Sequence, residues 1–213
     1  MIDAVADLLL GSACPGCGNP HWGVCAGCRA AVAVPRLRVN PAGLDVIGLT
    51  SYAGPGGRLV RALKDGGAWS VARVCAPGLA GALDQLAPPG LVLVPVPSSA
   101  AAVRRRGFHH ALALARAAAR PGDQVVEALR RSRAVDDQAG LDRLRRGVNQ
   151  QGSMRAGVSD GRGHRAVLVD DVCTTGATLG EARNALEAAG WTVLGAVVVA
   201  VTAAPPERDI RHG

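Results

Sequence analysis

The chain has 213 residues, 48% of them apolar, and a formal charge of +7, which leaves room for one α/β domain and a small module. Only five residues are aromatic, so the core must be built from Ala, Val and Leu. No run approaches the roughly 18 apolar residues of a membrane span. The positive balance, carried by 23 Arg and a single Lys, favours anionic ligands such as diphosphate or nucleic acid.

Residues 1–10 place Ile2, Val5, Leu8 and Leu9 at helical spacing and predict a short packed helix. They lack a basic start and contain Asp3 and Asp7, so no secretion leader is expected and the chain is read as cytoplasmic. Cys14, Cys17, Cys25 and Cys28 follow as two Cys-x2-Cys pairs with glycines in their turns. Tight turns of this kind aim two thiolates at one ion, and four thiolates leave no open position, which points to structural Zn2+. Disulfides are the alternative, disfavoured in a cytoplasmic chain. His21 lies between the pairs and reads as an exposed loop residue. The module is expected to fold on its metal and to unfold without disturbing the rest. Its boundary is set at residue 40, with an α/β domain over 41–213.

A Pro-containing connector over 34–43 leads to a strand at Asp45–Tyr52 and a turn at 53–57. Residues 58–66 read as a helix stopped by Gly66. Lys64, the only lysine, complements the helix dipole there or contacts a ligand. A helix over 70–86 contains Pro77 and Gly78, which suggest a kink. Cys75 within it reads as a small core residue. Leu91–Pro97 is a buried strand, and prolines fix the loop that continues into Ser98 and Ser99. Arg104, Arg105 and Arg106 precede Gly107, Phe108, His109 and His110 and an Ala-rich helix over 109–120. One guanidinium here suits a diphosphate in bidentate fashion, and Arg106 is the choice; the others read as a solvated run. Gln124–Leu129 is a strand. From Arg130 to Gly152 the chain is charged and non-periodic, as a lid over a site would be.

Val167–Leu179 organises everything else. An apolar strand ends in Asp170 and Asp171, then a loop of Cys173, Thr174, Thr175 and Gly176 opens a helix over 177–189. Unpartnered N–H groups at such a helix start bind phosphate, which nominates Thr174, Thr175, Gly176, Ala177 and Thr178. Acids at the carboxyl end of a strand lie on the ligand edge of an open α/β sheet. Paired carboxylates beside a phosphate cradle suit the vicinal hydroxyls of a ribose. Cys173 stands where a thiol pKa can fall, although no base is evident beside it. A last strand over 191–201 closes the sheet, and the tail from Ala203 is expected to fray.

The stretch LVDDVCTTGATL resembles the signature of type I phosphoribosyltransferases. The resemblance implies an open, mostly parallel sheet flanked by helices and a site for 5-phosphoribosyl 1-diphosphate (PRPP) with Mg2+. It assigns the ribose to Asp170 and Asp171, the 5-phosphate to Thr174–Thr178, and the diphosphate to Pro97, Ser98 and Ser99. The order of the cysteine module, Leu-Lys-Asp-Gly, Val-Pro-Val-Pro, Arg-Arg-Gly-Phe-His-His-Ala and Arg-Gly-Val-Asn resembles the ComF family over about residues 10–202. Those proteins are linked in some bacteria to competence for DNA uptake. His109 stands where that family usually shows Asn, and Met154 near a usual aromatic. The expected activity is phosphoribosyl transfer to an unidentified acceptor. The competing reading is a non-catalytic protein that binds a nucleotide or single-stranded DNA, with DNA-uptake proteins as partners. Scarce aromatics weigh against it, because single strands are held by stacking.

Overall fold

A computed structural model describes residues 13–64, 68–99, 102–104, 107–131, 153–157 and 161–202. The expected helix over 1–10, the Gly66 stop, Arg105, Arg106, nearly all of the expected lid and the tail from 203 lie outside the described residues. In chain order the elements are α1 (Ala26–Val32), β1 (Leu37–Val39), β2 (Val46–Ser51), α2 (Pro55–Lys64), α3 (Ala68–Leu86), β3 (Val92–Pro95), α4 (His110–Ala118), β4 (Gln124–Val125), β5 (Leu129–Arg131), β6 (Met154–Ala156), β7 (Arg165–Cys173), α5 (Ala177–Ala188) and β8 (Thr192–Val201).

Six strands form one sheet in the order β1-β2-β8-β7-β3-β4. Only the β1–β2 pair is antiparallel. This is the open, mostly parallel α/β sheet expected from the sequence. β7 and β8 occupy its centre and read as nearly unbroken Val, Leu and Ala, as strands covered on both faces must. Their side chains alternate between two cores. Val167, Val169, Val197 and Val199 face one cluster with Leu59, Leu79 and Leu114 from α2, α3 and α4. Ala166, Leu168, Ala196 and Val198 face the other, with Leu179, Ala182 and Leu186 from α5. Leu129 and Met154 of the separate β5–β6 hairpin join that second core.

Two differences from the sequence reading have steric causes, and a third lies in the strands. Of the turn expected at 53–57, Ala53 and Gly54 form a turn, and Pro55, Gly56 and Gly57 instead open α2. A Cβ on Gly56 would lie 2.2 Å from the Ser51 carbonyl, and one on Gly57 equally close to that of Tyr52. Those glycines let the helix start directly against the end of β2. In α3 one helix runs through Pro77, and the adjacent Gly78 lets the Val32 carbonyl of α1 approach, 2.1 Å from where a Cβ would stand. The single strand expected over 124–129 divides into β4 and β5, which serve different sheets. β1 and β6, three residues each, were too short to be read as strands.

The cysteine turn does not stand apart from the core. Cys14, Val24 and Cys28 belong to the same buried cluster as Val32, Leu49 and Leu59. Arg58 Nε of α2 donates to the Gly16 carbonyl at 2.7 Å. The expectation that this segment unfolds alone is therefore replaced by one of shared stability.

Candidate functional site

Because β2, β8, β7 and β3 are parallel, their carboxyl ends open onto one edge. A cavity of about 330 Å³ lies there. It gathers Lys64 from the end of α2, Pro97, Ser98 and Ser99 from the loop after β3, His110 from α4, Arg131 from β5, Asp170 and Asp171 from β7, and Thr174 and Thr178 around the start of α5. Eight of these were nominated from sequence. Thr175, Gly176 and Ala177 are close by but do not line it.

Local chemistry fixes the loops. Gly176 caps α5 with φ +79°, in the left-handed region, and a Cβ there would lie 2.4 Å from Pro41 Cβ. The Thr175 hydroxyl accepts the Ala177 N–H at 3.4 Å. The Ser99 hydroxyl accepts the Ala102 N–H at 3.2 Å. Arg131 Nε donates to the Pro97 carbonyl at 3.2 Å, so the hairpin braces the proline loop. His109 is an N-cap: its Nδ1 accepts the Leu112 N–H at 3.1 Å. Burial, then the neighbouring His110, lower its pKa and favour the neutral ring that this cap requires.

The acids are buried, with Asp170 8% and Asp171 3% exposed. Lys64 Nζ approaches Asp171 Oδ2 at 2.5 Å. That oxygen takes no hydrogen bond of regular geometry, so the ammonium is its charge partner. His110 Nε2 stands 3.5 Å from Asp171 Oδ1 and 3.9 Å from Asp170 Oδ1. Its Nδ1 is 3.4 Å from Ser98 Oγ. Burial works against the Asp171 anion, yet His110 and then Lys64 outweigh it and hold that carboxyl far below its ordinary value. Asp170 moves the other way: burial first, then the charge of Asp171, push it well above the usual carboxylate range. The two carboxyls shift in opposite directions, and the negative charge is favoured on Asp171.

Lys64 neutralises a buried acid at the cavity, a contact that neither sequence reading of it contained. His110 was read as part of a helix start and its place beside the acids was missed; only its position after Gly107 and Phe108 hinted at it. Arg131 was assigned to the lid and instead belongs to a strand lining the cavity. The lowered thiol pKa that a helix start can give is not found at Cys173: burial, then Asp170, raise it, and it is a buried core thiol. Cys75 is the buried core residue expected, with burial pushing its pKa up to about 12. Arg106 lies outside the described residues.

The four N-terminal thiols converge. Their Sγ atoms all lie within 4.8 Å of one another, and Cys17 and Cys25 are 3.7 Å apart. A tetrahedral ion with Zn–S near 2.3 Å needs an edge of about 3.8 Å, so the set fits zinc. Cys14 Sγ accepts the N–H groups of Gly16 and Cys25 at 3.4 and 3.3 Å. Although burial opposes the thiolate, these amides, with the Cys17 N–H, lower its pKa to about 6.

No helix among the described residues is long and apolar enough to cross a membrane. Comparison with curated proteins finds no match. The family model described as "Phosphoribosyl transferase domain" matches residues 101–212, more than half of the chain. That stretch runs from α4 through β7, the acid pair and α5 to β8, and with it the chain belongs to the phosphoribosyl transferase domain family.

Proposed function

We propose that the protein binds PRPP with Mg2+ in this cavity and transfers the phosphoribosyl group to an acceptor, releasing diphosphate. The observation that carries the reading is the buried Asp170–Asp171 pair at the floor of a cavity rimmed by hydroxyls and a helix start. Its size suits one small ligand. Asp170 and Asp171 accept hydrogen bonds from the ribose hydroxyls. Thr174, Thr175, Gly176, Ala177 and Thr178 hold the 5-phosphate through hydroxyls and the N–H groups that open α5. Pro97, Ser98 and Ser99 receive the diphosphate, with Lys64 beside them and Arg106 as its bidentate partner. Oxygen-rich carboxylates suit Mg2+, which when bound neutralises charge on the leaving group. The C1–O bond to diphosphate breaks as the bond to the acceptor forms. The protein's part is to position both and stabilise an oxocarbenium-like charge, and no protein nucleophile is needed.

The zinc reading of Cys14, Cys17, Cys25 and Cys28 rests on the fit of their Sγ atoms. We divide the chain into that module over 1–40 and the transferase-like domain over 41–213, acting in the cytoplasm. Within the family we group it with ComF-like proteins, on the motif order and the cysteine module, and so with competence for DNA uptake. Single-stranded DNA is the weaker ligand. Among described side chains Trp22, 53% exposed, is the one large exposed ring, too little for a stacking track.

Release of diphosphate from PRPP and Mg2+ across a panel of purine and pyrimidine bases tests the transfer. We expect release with at least one acceptor, falling about 100-fold or more in Asp170→Asn/Asp171→Asn. PRPP binding without release for any acceptor would instead favour the non-catalytic nucleotide binder.

A further inference from the structure

We propose that Arg58 is a positioning residue for the PRPP site, acting through α2 and Lys64, so that the cysteine turn and the cavity are energetically coupled. The proposal rests on the PRPP and zinc readings, but its own evidence is the pair of contacts that α2 makes at its two ends. Near its start, Arg58 Nε donates to the Gly16 carbonyl at 2.7 Å. At its last residue, Lys64 Nζ meets Asp171 Oδ2 at 2.5 Å. Six residues of helix separate the two side chains, about 9 Å along the axis. One short rod thus reaches from the cysteine turn to the acid pair. A cation near a helix start opposes the helix dipole, so helix electrostatics do not account for Arg58; its carbonyl partner does.

The sulfurs themselves place that carbonyl. Gly16 lies between Cys14 and Cys17, and its N–H donates to Cys14 Sγ at 3.4 Å. A Cβ on Gly16 would stand 2.6 Å from Cys28 Sγ and 3.4 Å from Leu59 Cδ2. The peptide is therefore wedged between two ligands of the zinc set and the inner face of α2. Thiolates gathered on one ion hold it there. Without the ion the sulfurs lose the bonds that draw them together, and the acceptor of Arg58 moves with them.

α2 carries such a movement onward. Leu59, Val60 and Leu63 are buried in the same core as Cys14 and Cys28, so turn and helix shift as one body. The far end is where a shift matters. Asp171 is buried, its Oδ2 takes no hydrogen bond of regular geometry, and Lys64 is its charge partner. A buried ion pair is costly to break from one side, because the remaining charge is left without compensation. The seating of α2 thereby sets how well the acid pair is held for the ribose hydroxyls.

Lys64 is the only lysine in the chain. A full chain labelled with ε-13C-lysine therefore gives one lysine side-chain signal, which reports on this ion pair alone. The test records that signal in zinc-loaded protein and measures zinc affinity against a competing chelator in Mg2+, with and without PRPP. Coupling between two sites is reciprocal, so we expect PRPP to tighten zinc about fivefold or more. Arg58→Gln should keep its zinc and its fold, weaken PRPP by a similar factor, and move the Lys64 signal toward that of a free lysine. It should also abolish the effect of PRPP on zinc, and Arg58→Lys, which keeps a cationic donor, should recover part of it. Zinc tightened as much by PRPP in Arg58→Gln as in the unmutated chain would show coupling through overall folding and overturn the role of Arg58. An unmoved Lys64 signal in that variant overturns it too. A PRPP melting shift without any change in zinc affinity, read on the unmutated chain, overturns the coupling and leaves the PRPP reading standing. No melting shift in zinc-loaded protein removes both.

Discussion

Replacing Asp123 with alanine is expected to destabilise the fold by about 3 kcal/mol, because it takes the acceptor from three backbone N–H groups and leaves the buried Arg120 guanidinium only the exposed Asp84 as a charge partner. The Asp123 side chain is fully covered and Arg120 nearly so. One carboxylate oxygen accepts the N–H groups of Gly90 and Leu91 at 2.9 and 3.0 Å. The other accepts Arg120 Nε at 2.8 Å and the Arg120 N–H at 3.2 Å. Arg120 Nη1 then reaches Asp84 at 2.6 Å and the Ala87 carbonyl at 3.1 Å. The pair thus ties the end of α3, the start of β3 and the turn after α4, which together aim the proline loop at the cavity. Burial opposes the Asp123 anion, but Arg120 and the three amides outweigh it and lower its pKa. A depressed folded pKa contributes stability above the unfolded value near 3.9 that is lost as pH falls through the folded one. Urea unfolding at pH 7 and pH 3 should show a gap between the two proteins that is narrower at pH 3 than at pH 7. Equal stability at pH 7 would refute the account of this network.

The second large effect is at the cysteines. Cys28→Ser should abolish zinc binding and lower the melting temperature of the whole chain by roughly 10 °C or more. Structural zinc sites contribute on the order of 10 kcal/mol in isolated fingers, and Cys14 and Cys28 are packed into the main core with Leu49 and Leu59. Calorimetry with elemental analysis decides. A single lowered transition is expected. Two transitions, one unchanged, would show that the cysteine segment is energetically separate after all.

The strand-loop-helix around Asp170 was legible because several independent signals coincide there: an apolar run, adjacent acids, and threonines at a helix start. The cysteine set was legible from spacing alone. His110 was not, because its significance comes from the pairing of β3 with β7, which sets the proline loop and α4 beside the acids. No local pattern encodes that. Lys64 reads as an ordinary helix-end charge until the fold brings it to Asp171. The start of α2 was misjudged because Ala53–Gly57 has turn composition, whereas Gly56 and Gly57 answer a need for close backbone approach. That need belongs to tertiary packing.

The most direct measurement is the melting curve of the full chain with PRPP and Mg2+. Ligand at 100 times its dissociation constant should stabilise the unmutated protein by about 2.7 kcal/mol, a rise of roughly 5–10 °C for a chain of this size. Asp170→Asn/Asp171→Asn should lose most of that rise, since amides keep the shape but not the charge. Thr175→Ala should lose less, because the backbone donors remain. No rise at millimolar PRPP in the unmutated protein, with single-stranded DNA bound tightly and released steeply by salt, would contradict the account.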